Sequence, residues 1–219
     1  MPGPLSIDVF SDVICPWCFV GKRRLERALD ETGLASAAAI RWLPFELNPD
    51  MPPEGMERAA YRASKFGPDR AAALDRDMAA LGRQEGIRFA FDRMRRTPNT
   101  RAAHGLIAHA ARSGRGAAAV EALFTAYFEE AIDIGDEARL VAIGAGLGLG
   151  EAEIRAALRD EALHEAVAGQ EREAGRLGIG GVPFFIIDGR WSVSGAQPVE
   201  VWREVLHRTH RSPAEVHEG

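Results

Sequence analysis

Cys15 and Cys18, separated by Pro16-Trp17, are the only two thiols in the chain. Cys18, Gly21, Leu25, Ala28 and Leu29 recur at helical spacing, so a helix begins at the pair. With Cys15 as N-cap, Pro16 falls at the first helical position, where its missing N–H costs nothing and its fixed φ suits the helix. The Cys15 sulfur is then expected to face the free N–H groups of Trp17 and Cys18 and the positive end of the helix dipole. Such a setting favours the thiolate, which is the nucleophile. Cys18, one turn on, is placed to close a disulfide with Cys15.

Three chemistries compete for the pair. A structural zinc site needs four Cys or His ligands, and the six histidines offer no second pair at ligand spacing. A purely structural disulfide across so short a loop would constrain the unfolded chain little. A strand, then C-x-x-C, then a helix reads as a thioredoxin-like redox motif, which the residues favour.

At 219 residues and 46% apolar content, the chain can build one large domain or two small ones. Net charge is −5 with no basic stripe, which argues against nucleic acid as the partner. Met1-Pro2-Gly3-Pro4-Leu5 has neither a basic region nor an apolar one of the secretory kind, and no apolar run is long enough to span a membrane. A cytoplasmic protein is expected, in a compartment that keeps thiols reduced.

The elements that must position the pair fall into three parts. Residues 1–48 carry the strand Ser6-Ile7-Asp8-Val9-Phe10, the motif, its helix to about Thr32, and a second strand over Ile40–Leu47. A helical crossover between two strands makes them parallel, and Pro44 puts the second at an edge or a bulge. Residues 49–177 open with a Pro/Gly loop and continue as five to seven helices, with Leu74, Met78 and Leu81 on one face and Val120, Leu123, Phe124, Tyr127 and Phe128 as the strongest stripe. Asn99, Asp136 and Glu151 mark helix starts, and Ile87–Phe91 is a weak strand candidate. Gly144, Gly146, Gly148 and Gly150 end a helix instead of forming a phosphate loop, since their spacing fits no such motif. Residues 178–219 give a strand over Val182–Asp188, an Asp188-Gly189 turn, a partner strand to Ser194, a helix opened by Pro198, and a frayed tail from His207. The two ends together supply a mixed four-stranded sheet. The fold class is α/β, a thioredoxin fold with an all-α subdomain inserted in the middle.

Cys15-Pro16-Trp17-Cys18 with Gly21, Leu47-Asn48-Pro49, Pro98-Asn99-Thr100 leading to Ala103-His104, Gly181-Val182-Pro183-Phe184-Phe185 and Ser194-Gly195-Ala196-Gln197-Pro198 together resemble the DsbA family. Within it they are similar to the cytoplasmic FrnE-like branch, and the resemblance spans essentially the whole chain. It implies a cis Val182-Pro183 bond beside the thiols, with the Val182 backbone free to pair with an extended substrate. It also places the helix start at Asn99 and Thr100 over the thiols, which would let both position substrate. Relatives of this fold carry a buried carboxylate six residues before the first cysteine, where this chain has Val9. Asp8 and Asp12 flank that position, Asp8 pointing away from the face of Val9. Glu46 is the better candidate for proton transfer, with simple solvation of a charge at a strand end as the alternative. Trp17, beside Pro16, would offer an apolar face to substrate. His104 is expected to be an ordinary satisfied or exposed histidine.

The expected activity is thiol–disulfide exchange, Cys15 attacking and Cys18 resolving, in the reductase or isomerase direction. No cofactor or metal is expected to be bound; glutathione or a thioredoxin system would supply electrons. Partners would be protein or small-molecule disulfides, and the chain a monomer or homodimer. Two alternatives remain: a glutathione-dependent isomerase or transferase of the 2-hydroxychromene-2-carboxylate isomerase or kappa type, and a non-catalytic holdase.

Overall fold

The structure, a computed structural model, describes residues 5–210. Strand β1 (Leu5–Ser11) lies in the middle of a four-stranded sheet, flanked on one side by β2 (Ala38–Pro44) and on the other by β5 (Phe184–Ile187) and β6 (Trp191–Ser194). β1 and β2 run parallel, in register from Leu5 opposite Ala38 to Ser11 opposite Pro44, joined by helix α1 (Pro16–Glu31). β5 is antiparallel to both β1 and β6. β2 is the edge strand that Pro44 requires, and Pro44 closes it. The hairpin between β5 and β6 turns through Asp188, Gly189 and Arg190, with left-handed φ of 49° and 65° at the first two and the Arg190 N–H donating back to the Ile187 carbonyl at 3.0 Å.

Between the two halves of the sheet run α2 (Arg58–Phe66), α3 (Pro68–Gln84), α4 (Arg101–Ala111), α5 (Gly116–Phe124), α6 (Glu137–Gly146), α7 (Glu151–Ala157) and α8 (Glu161–Arg176). α5 continues into a π-helical turn over Thr125–Glu129. The glycine run behaves as helix punctuation: α6 ends at Gly146, Gly148 takes φ +76° and Gly150 caps α7. The last helix, α9 (Val199–His210), starts after Pro198 and extends past His207, so the expected fraying does not begin there; the tail beyond His210 lies outside the described residues.

Ile87–Phe91 is not a strand. Phe89 and Phe91 stack on each other at 4.8 Å, and the Ala90 N–H donates to the Phe128 carbonyl at 2.7 Å, so the segment packs as an aromatic clamp with no ladder partner. A two-stranded ribbon forms instead from β3 (Met56–Glu57) and β4 (Arg96–Thr97), too short for any sequence period to reveal.

α1 belongs to two cores at once. Its later turns place Leu25, Ala28 and Leu29 with Ile7, Phe185 and Trp202, where the Phe185 and Trp202 rings meet edge to face at 4.7 Å. Its first turns place Cys18, Phe19 and Val20 among the inserted helices. Phe19 stacks on Phe124 at 4.9 Å and lies within 6.3 Å of Phe89 and Phe128, and burying such a ring is worth about 1.5–3 kcal/mol. Glu121 of α5 reinforces the junction by pairing with Lys22 at 2.6 Å and with Arg23. The helix that carries the cysteines is thus clamped from both sides.

Candidate active site

Cys15 caps α1 in an extended conformation (φ −90°, ψ 110°) with Pro16 in the first turn, as its neighbours dictate. Its carbonyl accepts from the Cys18 N–H at 3.0 Å, but its sulfur takes no capping hydrogen bond from the helix. This departs from expectation. The Cys15 thiol instead donates to the Val182 carbonyl at 3.6 Å. The Val182-Pro183 bond is cis, and Pro183 packs against α1 so closely that a Cβ on Gly21 would lie 2.9 Å from its Cγ. Gly21 is therefore a contact requirement of the site: only a hydrogen lets the proline loop approach the helix.

Both cysteines are free thiols. Cys18 is fully buried (0% exposed) and Cys15 nearly so (4%), while Trp17 between them is 47% exposed. Burial first, and the adjacent Cys15 thiol second, push the Cys18 thiol well above the ordinary cysteine range; the Ser11 hydroxyl and the Asp12 N–H oppose this only in part.

Asp12 is the residue sequence reasoning underrated. Its side chain is fully buried and accepts from the Leu47 N–H at 2.8 Å and the Ile14 N–H at 3.4 Å, while its carbonyl accepts from the Cys15 N–H at 3.0 Å. The bond to Ile14 is the two-residue reach an Asp makes in a turn, the one local signal that could have marked it. Asp12 thereby ties the motif loop to the segment leaving β2. His104 of α4 sits behind it, buried, with Nε2 3.5 Å from Asp12 Oδ1 and no closer polar partner. It is neither exposed nor well satisfied. Glu46 is buried and gripped by Arg101 through two contacts of 3.1 Å. The polar groups acting on Cys18 are Cys15, Ser11 and Asp12, with Glu46 standing off in its own ion pair. Glu171 of α8 joins this group, its carboxyl pushed up to about 7 by burial and then by Glu46.

Asn99 and Thr100 are not among the residues that line the cavity above Cys15, though Thr97 is. The Asn99 amide donates to the Met51 carbonyl at 2.7 Å and its oxygen accepts from the Arg101 N–H at 3.0 Å, while Thr100 is the buried N-cap of α4. The Asn99 side chain thus ties the start of α4 to the loop at Met51, while the Thr100 side chain makes no capping bond. The wall opposite the thiols is made by α2 and α3, which close a cavity of about 740 Å³ that Cys15, Pro16, Trp17 and Val182 line from below. Leu74, Met78 and Leu81, which periodicity puts on one face of α3, line this cavity, with Met78 buried in the core as well. Among the described residues no cluster of His, Cys, Asp and Glu could hold a metal ion, and no helix is long and apolar enough to cross a membrane.

The family model for the DSBA-like thioredoxin domain matches residues 6–207. The chain belongs to that family. Among solved structures it is similar to a probable DsbA oxidoreductase from Streptomyces coelicolor, at 32% identity and TM-score 0.88, covering 98% of this chain and 94% of that one. A 2-hydroxychromene-2-carboxylate isomerase shares the fold at 18% identity and TM-score 0.73, covering 97% and 100%. So does the cytosolic disulfide reductase DsbM from Pseudomonas aeruginosa, solved with GSH, at 24% identity and TM-score 0.65, covering 94% and 99%. The family member and its two fold relatives thus include both disulfide chemistry and small-molecule isomerisation.

Proposed function

We propose that this chain is a dithiol–disulfide oxidoreductase in which Cys15 attacks and Cys18 resolves. The observation that carries this is the contrast between the two thiols: Cys15 opens onto the cavity, while Cys18 is sealed beneath it and in contact with Cys15. A nucleophile must reach a foreign disulfide, whereas a resolving thiol needs only to reach the nucleophile. Attack by the Cys15 thiolate gives a mixed disulfide; Cys18 then attacks the Cys15 sulfur and expels the second substrate thiol. Trp17 and Pro16 form the exposed platform at the attack point, and the Val182–Pro183 segment lies across from them.

The direction is reductive. A strongly oxidising pair is one whose reduced form is stabilised. Here Pro16 has no N–H to offer, no helix N–H bonds the Cys15 sulfur, and the Val182 carbonyl can accept from a thiol but donates nothing to a thiolate, which leaves the Cys18 thiol as the donor beside it. Glutathione or a thioredoxin system would return the electrons, in the cytoplasm. A glutathione-dependent isomerase would use only the first position of the motif, so the retained Cys18 favours exchange over that chemistry.

The test is a coupled assay with a disulfide substrate and either glutathione with its reductase or thioredoxin with its reductase. Steady consumption of reductant with one of the two, lost in Cys15→Ser, is expected. No consumption with either would contradict the assignment.

A further inference from the structure

The cavity above Cys15 has a chemical polarity of its own. Its wall carries Leu74, Met78, Leu81, Phe91 and Phe128, all apolar, while its α2–α3 end carries Arg58, Arg62, Lys65 and Arg70. Only two carboxylates, Asp75 and Asp77, line the same space. Asp75 is shared by Arg58 at 2.9 Å and Arg62 at 2.6 Å, so one anion serves two cations. Arg62 keeps its Nε buried without a partner, its guanidinium over the Phe66 ring at 4.8 Å. Lys65 bonds only neutral groups, Tyr61 at 2.7 Å and Asn48 at 3.2 Å. Among the described residues neither Lys65 nor Arg70 has a carboxylate within 4.0 Å. In a chain of net charge −5, a local excess of uncompensated cations at the mouth of an apolar cavity is a specificity feature.

We propose that this cavity selects small disulfides in which one sulfur carries an apolar body ending in a carboxylate, with Lys65 and Arg70 receiving the carboxylate and the α3 face receiving the body. The proposal rests on the exchange activity above and names its substrate class. A volume of about 740 Å³ suits a ligand of this size. In the reaction Cys15 sulfur bonds the sulfur bearing the apolar body, and the other half leaves as thiolate. Cys18 then bonds Cys15, its proton passing to the departing thiolate, and the apolar thiol is released. The substrate gains the two electrons that the dithiol loses, and two glutathione thiols restore the dithiol as glutathione disulfide.

A matched pair tests this: 4,4′-dithiodibenzoate and its neutral bis-amide, each reacted with pre-reduced protein in a single turnover and normalised to its rate with free glutathione. The normalised rate should favour the carboxylate by about fivefold or more at low salt, the scale of two partly exposed ion pairs. The preference should fall with added salt, and Lys65→Ala/Arg70→Ala should bring the ratio near one. Both side chains are exposed, so the double variant should stay folded. Exchange with both compounds at equal normalised rates, or a preference that survives the double variant, overturns the proposal while leaving exchange intact. The non-reducible thioether 4,4′-thiodibenzoate separates the remaining case by calorimetry: its binding with no exchange of either disulfide would uphold the site and remove the exchange activity, and failure of both the thioether and the carboxylate disulfide to bind would overturn the site.

Discussion

Cys15 and Cys18 stand one turn apart on α1, yet the surroundings of the first are an apolar cavity and those of the second a buried polar cluster. Around Cys15 are Trp17, the Val182 carbonyl and the α3 wall. Around Cys18 are Ser11 and Asp12, and behind Asp12 lies His104, with Glu46, Arg101 and Glu171 beyond. The difference arises because the first turn of α1 sits where the sheet, the proline loop and the inserted helices meet. One face of that turn looks into the space the insertion leaves open, the other into the seam it closes. One helix start thereby gives two identical side chains different work.

The largest expected effect comes from removing either thiol. Cys15→Ser should reduce turnover to the uncatalysed rate, and Cys18→Ser should accumulate a covalent mixed disulfide visible by mass spectrometry without reductant. Accumulation in Cys15→Ser instead would invert the comparison. Next is Asp12→Ala, which strands the N–H groups of Leu47 and Ile14; at about 1–3 kcal/mol for each unpaired group, a loss of about 2–6 kcal/mol is expected in denaturant melts. A loss under about 1 kcal/mol would mean that water replaces the carboxylate and that the seam is not closed.

Gly21→Ala probes the other side. The new methyl would press on Pro183 at 2.9 Å and Phe185 at 3.4 Å, overpacking that costs about 1–3 kcal/mol and moves the Val182 carbonyl away from Cys15. Unchanged stability and exchange rates would show that the proline loop is not held against α1. The smallest effect belongs to Glu171, whose carboxyl rises from the ordinary 4.5 to about 7 through burial and Glu46. The folded state then holds more protons than the unfolded one between these values, so stability falls as pH rises from about 4.5 to about 7. Glu171→Gln should flatten that slope; an unchanged slope would place the titration elsewhere.

The cysteine pair, the βαβ start, the Asp188-Gly189 hairpin and the edge position of Pro44 were all legible, because each depends on local rules that a few adjacent residues state. The cis Val182-Pro183 bond was legible only through family resemblance. Asp12 was passed over because strand alternation bears on Asp8 and says nothing of the turn that follows, where Asp12 bends back to Ile14 and Leu47. Glu46 looked free at a strand end because its partner, Arg101, lies 55 residues away. The α3 stripe shows the deepest limit: its spacing marks one face, and cannot tell that Met78 is buried in the core while Leu74 stays exposed at the cavity.

The central claim, that Cys15 attacks and Cys18 resolves, is tested most directly by timed alkylation of the reduced protein across pH, each cysteine quantified by peptide mass spectrometry. Cys15 should label first throughout the neutral range, with Cys18 lagging until well above the ordinary cysteine range, because Cys18 is sealed and its thiolate is disfavoured by burial. Faster labelling of Cys18 near pH 7 would contradict the account.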